Sequence, residues 1–257
     1  YRPRVEKVCP VPILIVYALV NRYYMLDIQP DRSIIRKLLD LGMDIYLIDW
    51  GYPDKSYMYF TMDDYINGYI NNCVDFIRRE KGLDKINLLG ICQGGTFSAI
   101  YAALHPEKVR NLIVMVAPFD FDTRDGLLNI WARHLPIDLL ADVFRVIPGD
   151  YLNIGFLMLK PFSLMIDKYV GLLENVDHKE TLENFLRMEK WIFDSPDQAG
   201  ETWRQFLKDL YQENKLIKGE LVIGNDVEGY RKVDLSRIDM PLLNIYGEYD
   251  HLVPPAC

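Results

Sequence analysis

The sequence predicts an α/β protein: a mostly parallel sheet covered by helices and interrupted by a long helical insertion. Three observations predict it. Continuous apolar runs alternate with amphipathic stretches up to Pro118. The spacing then becomes mostly helical from Phe119 to Val233, and a strand pattern returns at Pro241. Strands buried on both faces, alternating with helices, are the mark of a parallel sheet.

The elements follow in order. Ile13 to Val20 (ILIVYALV) is unbroken apolar sequence, suited to a central strand. Ser33 to Leu41 is a short helix stopped by Gly42. Asp44 to Asp49 is a second strand, and Trp50-Gly51-Tyr52-Pro53 turns the chain. Asp63 to Glu80 is a long helix with Tyr65, Ile66, Tyr69, Ile70, Val74 and Ile77 along one side, ended by Gly82. Lys85 to Leu89 is a third strand, a helix runs from Thr96 to Leu104, and Asn111 to Val116 is a fourth strand. Inside the insertion, Leu182 to Phe193 and Ala199 to Tyr211 carry apolar residues three and four apart. Pro241 to Tyr246 is the returning strand. The expected division is therefore core (1–118), cap (119–233) and core again (234–257). A sheet of this kind continues with another strand and helix, so the chain is expected to be part of a longer protein.

Composition narrows the function classes. The 257 residues are 50% hydrophobic and 26% charged, which is globular. The net charge of −8, with signs interspersed, argues against nucleic acid as a partner. No apolar run is long enough to span a bilayer, and the first residues lack a signal-peptide pattern. Cys9, Cys73, Cys92 and Cys257 have no metal spacing and read as free thiols of a reducing compartment.

The chemistry-bearing motif is Gly90-Ile91-Cys92-Gln93-Gly94-Gly95, between a strand and a helix. It has the form of the nucleophile elbow of α/β hydrolases, with Cys in the usual Ser place. The turn is strained, so the positions two before and two after the nucleophile must be small. The helix that follows offers free amides and a dipole that favour a thiolate and an oxyanion. The Gln93 amide is the expected first oxyanion donor, and the Val20 amide, in the loop after the first strand, the second. Arg22 in the same loop is a candidate for an anionic substrate, with plain exposure as the alternative. The acid is expected after the last strand, at Asp250, with Glu248 as its rival. The base is missing. His105 is expected to face solvent, His134 and His178 lie in the insertion, and His251 adjoins Asp250 too closely for a triad. The histidine is expected beyond Cys257. A thiolate exchanges one thioester for another at little cost, so Cys at the elbow suits acyl transfer from an acyl-CoA to an alcohol.

Beyond the elbow, the sequence resembles the polyhydroxyalkanoate synthases, most of all the catalytic subunit of the two-component class III type. The resemblance covers Ile13 to Gln29, Leu47 to Gly51, Asn87 to Gly95, Val109 to Val116 and Pro241 to Pro254. Its most specific stretch is YxLVNRxYxLDxQP, from Tyr17 to Pro30. The resemblance implies a polymerase of (R)-3-hydroxyacyl-CoA, chiefly 3-hydroxybutyryl-CoA, that needs no cofactor or metal. It implies Cys92 as the acylated nucleophile and Asp250 as the catalytic aspartate, with His251 in a supporting place. It further implies a histidine in a Gly-Gly-His loop after Cys257, and a mobile cap that dimerises and gates entry. A second, non-catalytic subunit and a cytoplasmic protein attached to polyester granules complete the picture. The alternatives are a cysteine hydrolase of the dienelactone hydrolase kind, which is uncapped, and a granule-binding module without chemistry.

Overall fold

Ile13–Val16 (β1) forms the middle of the sheet, each of its four residues no more than 2% exposed. The computed structural model describes residues 1–3, 5–6, 8–174 and 177–257. β1 is shorter than the apolar run. The strand stops where the sheet reaches its carboxyl edge, level with Gly90 of the neighbouring strand. Tyr17, Ala18 and Leu19 stay buried as loop.

Ser33 caps α1 (Ile34–Asp40) by accepting a hydrogen bond from the Arg36 amide, and Gly42 (φ +84°) turns the chain out of it. β2 (Ile45–Leu47) pairs with β1. A π-helical stretch, Asp64–Ile70, runs into α2 (Asn71–Lys81), which Gly82 closes in the left-handed conformation. Tyr65, Ile66, Ile70, Val74 and Ile77 are buried along it as the spacing predicts. Tyr69 is 37% exposed instead, because the π-helical winding turns that position off the buried face. β3 (Ile86–Ile91) leads into α3 (Gln93–Leu104), whose residues are all buried, as suits a helix covered on every side. α3 begins three residues earlier than its apolar spacing suggests. β4 (Val109–Met115) follows.

The insertion holds α4 (Leu127–Ala132), α5 (Ile137–Phe144), α6 (Gly149–Leu159), α7 (Lys168–Glu174), α8 (Lys179–Ile192) and α9 (Gly200–Gln205). Residues 175 and 176 of the expected cap lie outside the described residues. α9 continues as a π-helical stretch, Phe206–Gln212. The region is not purely helical. Val146–Ile147 pairs with Gln198–Ala199, and Val222–Asn225 forms a hairpin with Gly229–Lys232. Ile137, Ala141, Ile147 and Trp203 make a small cluster of their own. Phe206, Leu210, Tyr211, Leu216, Leu221, Ile223 and Val233 instead join the cluster that contains Phe97 and Ile100 of α3. The later half of the insertion thus shares the sheet's core.

β5 (Leu242–Ile245) returns beside β4. The order across the sheet is β5-β4-β3-β1-β2, all parallel. The chain runs outward from β1 to β2, then starts again on the other side at β3. That reversal opens a crevice at the carboxyl ends of β1 and β3, where open α/β sheets bind their ligands. Among the described residues no helix is long and apolar enough to cross a membrane.

Candidate active site

Cys92 stands at the end of β3 with φ +54° and ψ −128°, a conformation that side-chain-bearing residues rarely adopt. Its surroundings hold it there. The Cys92 amide donates to the Met115 carbonyl at 2.9 Å, and its carbonyl accepts from the Gly95 amide at 2.8 Å. The glycines are required by close approach. A Cβ on Gly94 would lie 2.2 Å from the Val16 carbonyl oxygen, and one on Gly90 would lie 2.5 Å from the Gly95 Cα. A Cβ on Gly95 would strike the Ala117 side chain at 2.4 Å. The start of α3 is therefore pressed onto the ends of β1 and β4.

Cys92 as a residue is half-buried, and protein surrounds its thiol. Burial pushes its pKa up to about 11, the Gln93 backbone amide pulls it down, and the Asp250 carboxylate pushes it up further. The helix terminus does favour a thiolate through the Gln93 amide, but desolvation outweighs it, so the thiol is neutral at physiological pH. The effect of Asp250 places that carboxylate within electrostatic reach of the sulfur. Asp250 Oδ1 accepts from the Leu252 and Val253 amides at 2.8 and 3.0 Å, which fixes the loop after β5. Glu248 has no such anchoring among the described residues.

The loop after β1 is tied to the elbow. The Leu19 amide donates to the Gln93 side-chain oxygen at 3.1 Å, in a buried contact. The next amide, that of Val20, has no backbone or side-chain acceptor among the described residues. The Gln93 side chain thus ties the loop to the elbow and leaves the next amide without a protein acceptor among the described residues. The sequence reading used only the backbone of Gln93 and missed this.

Arg22 does not lie exposed. Its side chain is 11% exposed and pairs with Asp49 at 3.1 Å. It donates to the Gly51 carbonyl at 2.8 Å and stacks 4.3 Å from the Tyr52 ring. It is a rivet between two loops. The same loop is bound to the end of α8. Trp191 Nε1 donates to the Arg22 carbonyl at 2.7 Å, and Asn21 donates to Ser195 at 3.0 Å. Asp194 accepts from the Tyr24 and Tyr52 hydroxyls at 2.9 and 2.8 Å.

None of the histidines is joined to Cys92 or Asp250 by a hydrogen bond or ion pair among the described residues. His105, expected at the surface, is mostly buried: it stacks on Tyr101 at 4.7 Å and meets Asn67 Oδ1 at 2.8 Å. The helix–strand connection there folds it back against the π-helical stretch Asp64–Ile70. Burial, Arg231 and Lys108 push its pKa down to about 4. His134 and His178 are exposed in the insertion. His251 is half-buried, and burial together with the Lys160 cation lowers its pKa. Two buried tyrosines escaped the sequence reading. Tyr17 and Tyr211 are 8% and 6% exposed, and the charge of a Cys92 thiolate reaches both. Among the described residues no group of three or more histidine, cysteine or acidic side chains is arranged to hold a metal ion.

Comparison with known proteins agrees with this fold. Residues 11–256 match the family model described as alpha/beta hydrolase fold. Over 96% of its length the chain is 59% identical to the poly(3-hydroxyalkanoate) polymerase subunit PhaC of Allochromatium vinosum, covering 68% of that protein. It is 56% identical to the PhaC subunit of a Synechocystis species over 100% of the chain and 68% of the relative. The PhaC subunit of Cupriavidus necator is 30% identical over 99% of the chain and 44% of its own length. Among solved structures, MenH from S. aureus superposes with a TM-score of 0.57 at 19% identity, covering 97% of this chain and 79% of that one.

Proposed function

The chain belongs to the α/β-hydrolase fold family and, within it, to the poly(3-hydroxyalkanoate) polymerase subunits, and from that premise we propose that it builds a polyester from hydroxyacyl-CoA thioesters. The observation that carries the reading is Cys92, held at a strained elbow beside Asp250 in a chain so similar to those subunits.

In this mechanism a base takes the Cys92 proton and the sulfur attacks the thioester carbonyl of (R)-3-hydroxyacyl-CoA. The Gln93 and Val20 amides hold the oxyanion of the tetrahedral intermediate. The bond to CoA breaks, CoA leaves as the thiol, and the acyl group stays on Cys92. A hydroxyl of another unit, activated by Asp250 directly or through a histidine, then attacks that acyl carbonyl. A new ester forms and the sulfur is released. The histidine of the resemblance, in a Gly-Gly-His loop, fills the role that none of the four histidines of this chain is placed to fill. Residues 119–233 act as the cap over the crevice, on a core formed by 1–118 and 234–257. The exposed apolar side chains of the cap, such as Ile154, Phe162 and Leu173, suit a homodimer contact or the polyester surface. A second synthase subunit and attachment to granules in the cytoplasm belong to the same reading.

Incubating the full-length protein with 3-hydroxybutyryl-CoA tests it. Release of CoA with insoluble polyester is the expected result, and Cys92→Ala abolishes both while leaving the fold intact. CoA release with free acid alone would make the protein a cysteine hydrolase instead.

A further inference from the structure

The loop that carries the Val20 amide is held from two sides, by two different parts of the molecule. On the core side, the Leu19 amide bonds the Gln93 side chain at 3.1 Å, and Gln93 directly follows Cys92. Val20 and Cys92 also pack against one buried cluster, which includes Tyr17, Ala18 and Ile91. On the other side stands the insertion. Asn21 Nδ2 donates to Ser195 Oγ at 3.0 Å, the one hydrogen bond of the Asn21 side chain among the described residues. The Arg22 carbonyl accepts from Trp191 Nε1 at 2.7 Å, and Trp191 packs against the same cluster as Val20 and Cys92.

Ser195 is a firm anchor. A hydroxyl can accept and donate at once, and this one does both: it accepts from Asn21 and donates to Asn153 Oδ1 at 2.7 Å. Asn153 is a buried residue of α6. One turn earlier, α6 presses so closely on the Ser195 backbone that a Cβ on Gly149 would lie 2.1 Å from the Ser195 carbonyl oxygen. Asn21, Ser195 and Asn153 thus form a chain from the loop after β1 into a helix of the insertion. Arg22 is riveted to the core as well, through Asp49 and Gly51. The Asn21 side chain is held by the insertion alone, and Asn21 follows directly on Val20.

A backbone donor stabilises an oxyanion through its alignment before the reaction, and small displacements of aligned groups cost much of the rate. With Leu19 pinned to the elbow and Asn21 pinned to the insertion, the Val20 peptide between them has little freedom to turn. We propose that Asn21 and Ser195 are positioning residues, whose bond lets the seated insertion hold the Val20 amide in its oxyanion-binding orientation. Neither touches the acyl group. This rests on the polymerase reading above.

The test uses the full-length protein and its Asn21→Ala, Ser195→Ala and doubly substituted variants. Acylation of Cys92 by 3-hydroxybutyryl-CoA is followed in single turnovers, by CoA release and intact mass. Alkylation of Cys92 by iodoacetamide is measured beside it, because displacement of iodide forms no oxyanion. Each single variant should acylate about tenfold more slowly at saturating donor, with the half-saturating concentration and the alkylation rate within about twofold of wild type. The double variant should be no slower than the slower single one, since both changes break the same bond. Unchanged acylation in both single variants overturns the proposal. So does an equal loss of acylation and alkylation, which would mean that the thiol itself is disturbed, or faster alkylation, which would mean that the bond only keeps the insertion shut. Losses that multiply in the double variant overturn it too. Asn21→Ala changes no residue of the insertion and decides the matter if Ser195→Ala does not fold. Failure of the wild type to acylate at all is a separate result and overturns the polymerase reading, and this proposal with it.

Discussion

A buried thiol is a poor nucleophile until something takes its proton, and Cys92 is held with its proton on. With its pKa at about 11, the thiolate fraction below that value rises tenfold per pH unit. Alkylation of Cys92 by iodoacetamide in this chain should therefore climb by about that factor per unit from pH 7 to 10, read by peptide mass spectrometry. A flat profile would mean that a base near the sulfur already holds the proton. Asp250 sharpens the point, because its charge opposes that of the thiolate. Asp250→Asn keeps the oxygen that accepts from Leu252 and Val253 but removes the charge. The variant should alkylate several-fold faster at pH 8 while polymer formation by the full-length protein falls, since the proposed activation of the hydroxyl needs the carboxylate. Moving in opposite directions, the two readouts separate an electrostatic role from a catalytic one.

The elbow as an element depends on contacts that leave no slack. Gly94→Ala puts a methyl group onto the backbone oxygens of Val16 and Tyr17, which cannot retreat without breaking β1. A loss of at least about 2 kcal/mol in a denaturant melt is expected. Gln93→Ala is milder: it leaves the buried Leu19 amide without an acceptor, at about 1–3 kcal/mol, and frees the loop that carries Val20. At the other end of α3, His105 is packed uncharged between Tyr101, Asn67 and Arg231, with Glu107 and Lys108 alongside. Its folded pKa of about 4 lies below its ordinary value, so the unfolded chain binds the proton first as pH falls. Stability should drop by on the order of 1–2 kcal/mol between pH 7 and pH 4.5, and His105→Gln should flatten that slope in urea titrations. The elbow was legible in the sequence because its determinants are local: a buried strand, three glycines and a helix within a few residues. The burial of His105 was not, because it depends on Asn67 and Arg231, distant in sequence. The side-chain bond from Gln93 to Leu19 spans seventy-four residues and left no sequence signal either. Tyr17 and Tyr211 each lay inside an apolar pattern that gave no reason to single them out.

Across the whole molecule, the insertion meets the core in two unlike ways. Its later half, from Phe206 to Val233, is welded into the cluster around α3 by apolar burial. The end of α8 is held at the crevice largely by polar contacts, namely Trp191 on the Arg22 carbonyl, Asn21 on Ser195, and Asp194 between Tyr24 and Tyr52, whereas α5 packs through Ile137 and Ala141 with Trp203. α8 itself buries no residue. Polar contacts of this kind contribute about 0.5–1.5 kcal/mol each, far less than the burial behind Phe206. The segment from α7 to α8 should therefore open before the rest unfolds. Because these contacts land on the loop that presents the Val20 amide, opening would also release that loop. Asp194→Ala removes the acceptor shared by two tyrosines without touching the sheet. In hydrogen exchange it should raise the rates of amides in α8 and in residues 19–24, while β3, β4 and α3 keep wild-type protection. Uniform loss of protection across the sheet would show that Asp194 supports the whole fold, and no change in either segment would show that the polar latch is not what holds the insertion down.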